Sequence, residues 1–215
     1  MKIFLNCAVL IMAFFLLFSE PTINDSSLDL VSASTSINPK ITIKNYKNNK
    51  NFQYAVISGK KYDAANNQML KYIASIYEAD QKFKKENSKY ASYSISKVKF
   101  NQDNKISISY INAFYLGGAH DDVIMTVFNF YKGKNITLQK AFKNSKAYFE
   151  ANKYVKNYVL NHPHQYPLAT QYTNIYNHQF YWTLKGINVV FDPYELDSFA
   201  SGFKYVPVLQ RYLKY

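Results

Sequence analysis

The chain has 215 residues, a length typical of one domain or two small ones, and it carries a formal net charge of +12 at pH 7. Its single cysteine, Cys7, lies in an apolar N-terminal run, so disulfides and thiolate chemistry are excluded from the rest of the chain. The basic balance attracts polyanions and repels cations, which favours anionic partners.

The N-terminus has the pattern of a secretory signal peptide. Lys2 precedes an almost wholly apolar run from Ile3 to Phe18. This run is shorter than the roughly 20 residues of a membrane-spanning helix. Small residues at Val31-Ser32-Ala33 favour cleavage after Ala33, so we predict a signal peptide over 1–33 and a spacer over 34–40. The alternative is an uncleaved N-terminal anchor. Either way we expect a secreted or cell-envelope-associated protein.

Cleavage would make the remaining chain more basic. The first 33 residues hold one lysine and three acids, so residues 34–215 carry +14, against +12 for the whole chain. Outside a cell this charge suits wall polymers, anionic lipid surfaces or acidic proteins. Nucleic acid also fits the charge, but we do not expect it as the partner of an exported protein.

The first elements are predicted from a change of period. Alternating side chains over Ile41–Tyr46 and Phe52–Ser58 indicate two strands. From Asp63 the apolar residues recur at helical spacing, which predicts an amphipathic helix that covers one face of a sheet and ends in a charged loop near residue 88. Asp63 is the predicted N-cap of this helix.

Three further strands are predicted in the middle of the chain. They cover Ala91–Phe100, Lys105–Phe114 and Val123–Tyr131. A turn-forming cluster at 101–104 joins the first two, and the Gly-Gly loop from Tyr115 to Asp122 joins the second to the third. We predict an antiparallel meander with one face against the helix.

A second helix and a second group of strands complete the chain. The apolar stripe of Lys146–Leu160 predicts a helix, and Gln179–Leu184 and Ile187–Phe191 predict two strands about a tight turn. The end of the chain is irregular, with one short strand and a helical turn. The predicted class is α+β, with antiparallel sheets and two main helices in two closely packed subdomains, 41–88 and 89–215.

Two motifs carry a family resemblance. The first is Tyr115-x-Gly117-Gly118-Ala119-His120, and the second is Phe191-x-x-Tyr194-Glu195-Leu196-x-x-Phe199-Ala200-x-Gly202-Phe203. Together they resemble a secreted bacterial domain pair of unknown molecular function, over roughly residues 45–215. A strand containing Tyr54, then Gly59 and a helix with Asn66, Asn67 and Ile73, fit the same pattern.

That family occurs as the extracytoplasmic region of lysozyme-sensing anti-sigma factors and beside the catalytic domain of some peptidoglycan deacetylases. Here only Met1 and Lys2 precede the apolar run, so we expect no binding of a sigma factor. No catalytic domain follows Tyr215, so the resemblance implies the accessory domain alone. Separately, we expect a monomer. Animal lysozymes are basic, and the charge of this chain would repel them.

The Gly-Gly loop allows two interpretations. His120, Asp121 and Asp122 could form a metal or acid/base cluster. Alternatively, the glycines supply unusual backbone angles and His120 bonds across the hairpin. If the second motif packs against the loop, Glu195 could reach His120 and form a catalytic or a structural pair. The candidate catalytic residues are therefore His120 and Glu195. The candidate ligand-binding residues are Tyr115, Gly117, Gly118, His120, Asp121, Tyr194 and Glu195.

The remaining histidines and aromatics give weaker signals. His162-Pro163-His164 resembles a metal-binding fragment, but a surface loop is favoured, and His178 has no partner at a recognisable spacing. The sequence has no nucleophile elbow, P-loop, zincin or dinucleotide motif, so we expect no cofactor and no metal. Five aromatics are candidates for stacking on sugar rings: Tyr166, Tyr172, Tyr176, Tyr181 and Trp182.

The predicted function is a secreted, non-catalytic binding or sensing module of the cell envelope. Its ligand is an anionic wall polymer or an envelope protein, with wall glycan favoured. One alternative is a small envelope hydrolase or metal-dependent enzyme centred on His120 and Glu195, which a shared concave pocket would favour. Another is a protein inhibitor or decoy with a flat aromatic surface. The position of the Gly-Gly loop relative to residues 191–203 bears directly on this choice.

Overall fold

The computed structural model describes residues 38–215. The predicted signal peptide, its cleavage site after Ala33, the alternative anchor and Cys7 lie outside these residues. Within the described range, no helix combines the length and the apolar character needed to cross a bilayer.

The described chain forms nine strands and three α-helices. They are, in chain order, β1 (Ile41–Tyr46), β2 (Asn49–Ile57), α1 (Asp63–Glu86), β3 (Ala91–Gln102), β4 (Lys105–Tyr115), β5 (Asp122–Tyr131), β6 (Lys134–Asn135), α2 (Leu138–Ala141), α3 (Ser145–Leu160), β7 (Gln179–Thr183), β8 (Gly186–Phe191) and β9 (Lys204–Leu209).

The strands form two sheets. Strands β1 to β6 make a six-stranded sheet in sequence order, and β7 to β9 make a three-stranded sheet. Neighbouring strands pair antiparallel, except that β2 and β3 are parallel at Phe52 and Ser94. Helix α1 connects these two strands and returns the chain, so that β3 runs in the same direction as β2. The predicted α+β class with antiparallel sheets and two main helices is confirmed, with one parallel contact added.

The first core lies between α1 and the six-stranded sheet. The apolar stripe of α1 buries Ala65 and Met69 against alternate residues of β4, among them Ile106 and Ile108. The prediction that Asp63 caps the helix is wrong. Tyr62 occupies the N-cap and no side chain caps the helix there, while Asp63 is the first helical residue. Its carboxylate still suits the positive end of the helix dipole.

Two polar side chains fix α1 to its neighbours. The amide of Asn66 accepts from the Ile57 N–H and donates to the Ile57 carbonyl, both at 2.8 Å. Asp80 is fully buried and accepts from the Ser92 N–H at 2.9 Å and from Lys84 Nζ at 2.7 Å. The helix is therefore attached to β2 near its start and to β3 near its end.

The second core lies between α3 and the three-stranded sheet. Val155 and Val159 of α3 pack in one cluster with Phe180, Trp182 and Val206 of that sheet. Asn144 begins the helix as its N-cap, because its side chain accepts from the Ala147 N–H at 2.8 Å.

The free edge of β7 contacts the six-stranded sheet through hydrogen bonds. Asn129 Nδ2 donates to the Phe180 carbonyl at 2.7 Å, and the Trp182 N–H donates to Ser107 Oγ at 2.9 Å. Ser107 Oγ in turn donates to Asn129 Oδ1 at 2.6 Å. Ser107 lies opposite the apolar face of β4, as its alternation predicts, but it is buried because the second sheet covers it.

The two subdomains predicted from sequence share a sheet. Strands β2 and β3 lie on either side of the predicted boundary at residue 88 and belong to the same six-stranded sheet. The two cores are separated instead along β4 and β5, whose opposite faces meet α1 and the second sheet. The boundary at residue 88 stays a prediction.

Candidate functional site

The Gly-Gly loop connects β4 to β5 and is largely exposed. Strand pairing continues up to Phe114 and Asp122, so the loop is the tip of a long hairpin. Gly117 has a φ of +88°, which an L side chain rarely adopts, whereas Gly118 is not among the positive-φ residues. Of the two glycines, Gly117 is therefore the one that the backbone geometry requires.

The two sequence motifs meet in space. The His120 ring stacks on Phe199, with 4.1 Å between ring centroids and 24° between planes. The Tyr194 ring lies beside the Phe199 ring, with 5.6 Å between their centroids. Tyr194 has a φ of +72°, and its N–H donates to the Asp197 carbonyl at 2.9 Å. The loop and the segment after β8 thus form one aromatic surface.

Glu195 pairs with His178. Glu195 Oε1 lies 3.0 Å from His178 Nε2, and the other carboxylate oxygen accepts from the Asp192 N–H. The expected contact with His120 is not among these interactions, since His120 bonds to the Asp121 carbonyl at 3.1 Å and stacks on Phe199. Sequence reasoning missed His178 because its partner lies 17 residues away with no helical or strand spacing.

The surroundings of His178 favour the imidazolium form. Its Nδ1 lies 3.0 Å from the Tyr176 carbonyl and its Nε2 faces Glu195, so both nitrogens face acceptors. Burial lowers the pKa of His178, but the bond and charge of Glu195 and the Tyr176 carbonyl outweigh burial and raise it above 6.5. Burial raises the pKa of Glu195, but the hydrogen bonds from His178 and from the Asp192 N–H outweigh this effect. The pKa of Glu195 is therefore lowered below 4.5.

This pair is suited to holding two segments together. Both nitrogens of His178 and both oxygens of Glu195 are engaged, which leaves no free group for proton transfer to a substrate. Among residues 38–215, no group of three or more histidine, cysteine, aspartate or glutamate side chains is placed to hold a metal ion. The arrangement therefore clasps the loop before β7 to the segment after β8.

Three cavities follow one another along β5. The first, of about 500 Å³, is lined by Thr126–Asn129 and by residues 135–139 and 177–180. The second, of about 330 Å³, is lined by Ile124–Thr126 and includes His178 and Glu195. The third, of about 350 Å³, is lined by Asp122–Ile124 and includes His120, Tyr194 and Phe199. Asp192 lines the second and the third.

Comparison with known proteins gives similarity at the level of the fold. The chain is similar to the crystal structure of a DUF3298 family protein from Pseudomonas aeruginosa, with a TM-score of 0.56 and 12% identity over 80% of this chain and 88% of that chain. A DUF3298 family member from Bacteroides fragilis gives a TM-score of 0.51 and 14% identity over the same shares. The chain shares the fold of these DUF3298 proteins. No family model and no curated protein matches the sequence.

The other candidates from sequence fall into core and surface on this DUF3298-like fold. Tyr166 and Trp182 are buried in the second core, while Tyr172 and Tyr176 are 79% and 45% exposed. Tyr181 packs between the sheets. His162 Nδ1 bonds to the Tyr158 carbonyl at 2.7 Å at the end of α3, which accounts for it without a metal.

A lysine–aromatic patch at the far end of β5, which the sequence motifs do not include, is the other notable feature. It consists of Lys105, Lys132, Lys214, Tyr131 and Tyr215. The rings of Tyr131 and Tyr215 are 4.4 Å apart between centroids. Lys132 Nζ lies 5.4 Å from the Tyr131 centroid, and Lys214 Nζ lies 5.4 Å from that of Tyr215. Lys105 pairs with Tyr131 across the strands and lies over the buried Trp182.

Proposed function

We propose that the protein is an exported, non-catalytic module of the cell envelope that binds an anionic wall polymer. The observation that carries the proposal is the lysine–aromatic patch. Lys132 and Lys214 each lie over one of two half-buried tyrosine rings, and Lys105 lies beside them over the buried Trp182. Lysines attract the phosphates or carboxylates of such a polymer, and the flat rings offer apolar faces to its sugars.

Charge and composition support the same proposal. The described residues 38–215 include all of the charge of +14 that remains without the first 33 residues. The resemblance of the two motifs to extracytoplasmic regions of lysozyme-sensing anti-sigma factors and to accessory domains of peptidoglycan deacetylases also favours a role at the wall. The hydrolase alternative has less support, because Glu195 is engaged by His178.

A sedimentation assay tests the proposal. The full chain is mixed with purified peptidoglycan carrying its teichoic polymers, at a series of salt concentrations. We expect retention at low salt that falls as salt rises, because exposed charges are screened within about 10 Å at 0.1 M. Stripping the anionic polymers from the peptidoglycan should reduce retention.

A charge-matched pair of variants locates the surface. The triple variant Lys105→Gln, Lys132→Gln and Lys214→Gln removes three charges from the patch. The control Lys71→Gln, Lys82→Gln and Lys85→Gln removes three from the exposed side of α1. We expect the first to lose retention by about tenfold more than the second. Equal losses, or no retention of the unmodified chain at low salt, would refute the proposal.

A further inference from the structure

Most of β5 is an open edge of the six-stranded sheet. It pairs with β4 along its whole length, but β6 covers its other side only at Phe130 and Tyr131. Over Asp122–Phe128 no further strand pairs with it within the described residues, whereas the Asn129 carbonyl already accepts from the Ile136 N–H at 2.8 Å. An edge of this kind is a template for another extended chain.

The outward backbone groups of this edge can be identified. The Val127 N–H points away from β4, because it donates to the side chain of Gln179 at 3.0 Å. Backbone groups alternate along a strand, so those of Val123 and Met125 point the same way. Within residues 38–215, neither the N–H nor the carbonyl of these two residues has a hydrogen-bond partner on that side.

The edge lies in a groove. All eight residues of Asp122–Asn129 line one of the three consecutive cavities described above. The opposite wall is formed by residues 135–139, 177–179 and 192–194. The Val127 N–H and the Asn129 carbonyl already have partners, so an added strand would pair mainly with Asp122–Thr126. These five residues span about 16 Å, which is enough for a short strand.

The end of the groove near the Gly-Gly loop carries acidic side chains, although the molecule as a whole is basic. The third cavity combines the carboxylates of Asp122 and Asp192 with the rings of Tyr194 and Phe199. Burial, followed by the charge of Glu195, raises the pKa of Asp192, so a nearby cation would stabilise its ionised form. Acids beside aromatic faces are the surroundings that bind a guanidinium or an ammonium group.

We propose that the open edge of β5 binds an extended peptide of a partner protein, which adds to the sheet as a strand and places an arginine or lysine side chain in the cavity formed by Asp122, Asp192, Tyr194 and Phe199. Main-chain hydrogen bonds to Val123 and Met125 supply the affinity, and the cation in the cavity supplies the selectivity. The site is separate from the lysine–aromatic patch and does not depend on the proposed polymer binding.

The probe is a phage-displayed library of random twelve-residue peptides, selected on the full chain. We expect enrichment of peptides with one arginine or lysine among alternating β-branched residues. The best peptide is then synthesised with a fluorophore, and its Kd is measured by anisotropy. The double variant Asp122→Asn and Asp192→Asn should weaken binding by about tenfold or more. The patch variant Lys105→Gln, Lys132→Gln and Lys214→Gln should bind it as the unmodified chain does.

A second variant tests the strand pairing itself. Val123→Pro removes one outward N–H. The hydrogen bonds between β4 and β5 are kept, because the backbone groups of Val123 point away from β4. Val123→Thr is the control. We expect the proline variant alone to lose affinity, with its fold checked by circular dichroism.

Several outcomes would overturn the proposal. Enrichment of acidic peptides, no enrichment, or unchanged affinity of the asparagine double variant would each do so. Loss of wall-polymer retention in the double variant would assign the groove to the polymer instead. Failure of the sedimentation assay with intact peptide binding would refute the proposed function alone.

Discussion

At the residue scale, the His178–Glu195 pair contributes stability that depends on pH. Because the pKa of His178 is raised in the folded state, its contribution to folding stability is complete below pH 6.5. That contribution is lost as the pH rises through the folded-state pKa. The lowered pKa of Glu195 means that its contribution is complete above 4.5 and is lost as pH falls through the folded-state value. The two contributions overlap in full between pH 4.5 and 6.5.

Urea denaturation of Glu195→Gln across pH 4 to 9 tests this prediction. Between pH 4.5 and 6.5, the free energy of unfolding of the variant should be about 0.5–1 kcal/mol lower than that of the unmodified protein. The difference is small because Glu195 is partly exposed. The difference should shrink at alkaline pH. Glu150→Gln makes the same chemical change on the exposed side of α3 and should show no such profile. A difference that grows with pH would contradict the assignment.

Gly186 is a residue whose replacement the fold does not allow. It follows the turn at Leu184 and Lys185 with a φ of +142°, and a Cβ there would lie 2.1 Å from the Val208 carbonyl oxygen. We expect Gly186→Ala to lower the free energy of unfolding by more than about 3 kcal/mol, through backbone strain together with a backbone clash.

The matched control for this substitution is Gly202→Ala. Gly202 also has a positive φ, of +65°, but no atom lies within 4 Å of its added Cβ. Its variant should therefore show only the conformational penalty, about 1–3 kcal/mol. Thermal and urea unfolding measure the loss of stability in both variants. If Gly186→Ala and Gly202→Ala lose the same free energy of unfolding, the contact with β9 is not what excludes a side chain at Gly186.

At the scale of elements, Asp80 connects the end of α1 to the start of β3. Asp80→Ala leaves the buried Ser92 N–H without its acceptor and Lys84 without its partner. We expect a loss of about 2–4 kcal/mol in the free energy of unfolding. Glu78→Ala, two residues earlier on the exposed side of the same helix, should change it by less than about 0.5 kcal/mol. Hydrogen exchange should show the Ser92 amide losing its protection only in the first variant.

The helices and strands are largely predictable from the sequence, because the spacing of apolar residues indicates which face of each element is buried. Strands β3, β4 and β5 and helix α3 begin and end within two residues of the sequence prediction. The N-cap at Asp63 was wrong because an acid just inside a helix and an acid at its cap look alike in sequence. Asp80 was missed because a charged residue on an amphipathic helix predicts an exposed side chain.

The candidate site was predictable only in part. The two motifs belong to one resemblance, and the sequence therefore allows them to meet. The sequence-based prediction pairs His120 with Glu195, however, whereas the observed contact is with Phe199. The partner of Glu195 was not predicted, because a pair formed by two loops has no periodicity to reveal it. The open edge of β5 follows from the shortness of β6, which depends on where α2 and the second sheet pack.

At the scale of the whole molecule, the two cores should unfold together. Strands β4 and β5 pack against α1 with one face and against the second sheet with the other. Trp182, the single tryptophan of the chain, reports on the second core. Far-UV circular dichroism reports mainly on α1, the longest helix, which packs in the first core. We expect the two signals to change at the same temperature. A tryptophan transition several degrees below the helical one would contradict this coupling.

The hydrogen bonds between β7 and the six-stranded sheet have a consequence for how the chain is synthesised. Ser107 and Asn129 leave the ribosome well before Phe180 and Trp182, so the partners of the β7 edge are already in place when that strand emerges. A lesion in β4 or β5 would remove these partners and release a bare edge able to recruit other copies. Aggregation-prone variants should therefore concentrate in β4 and β5, which cover the edge of β7, rather than in β7 itself.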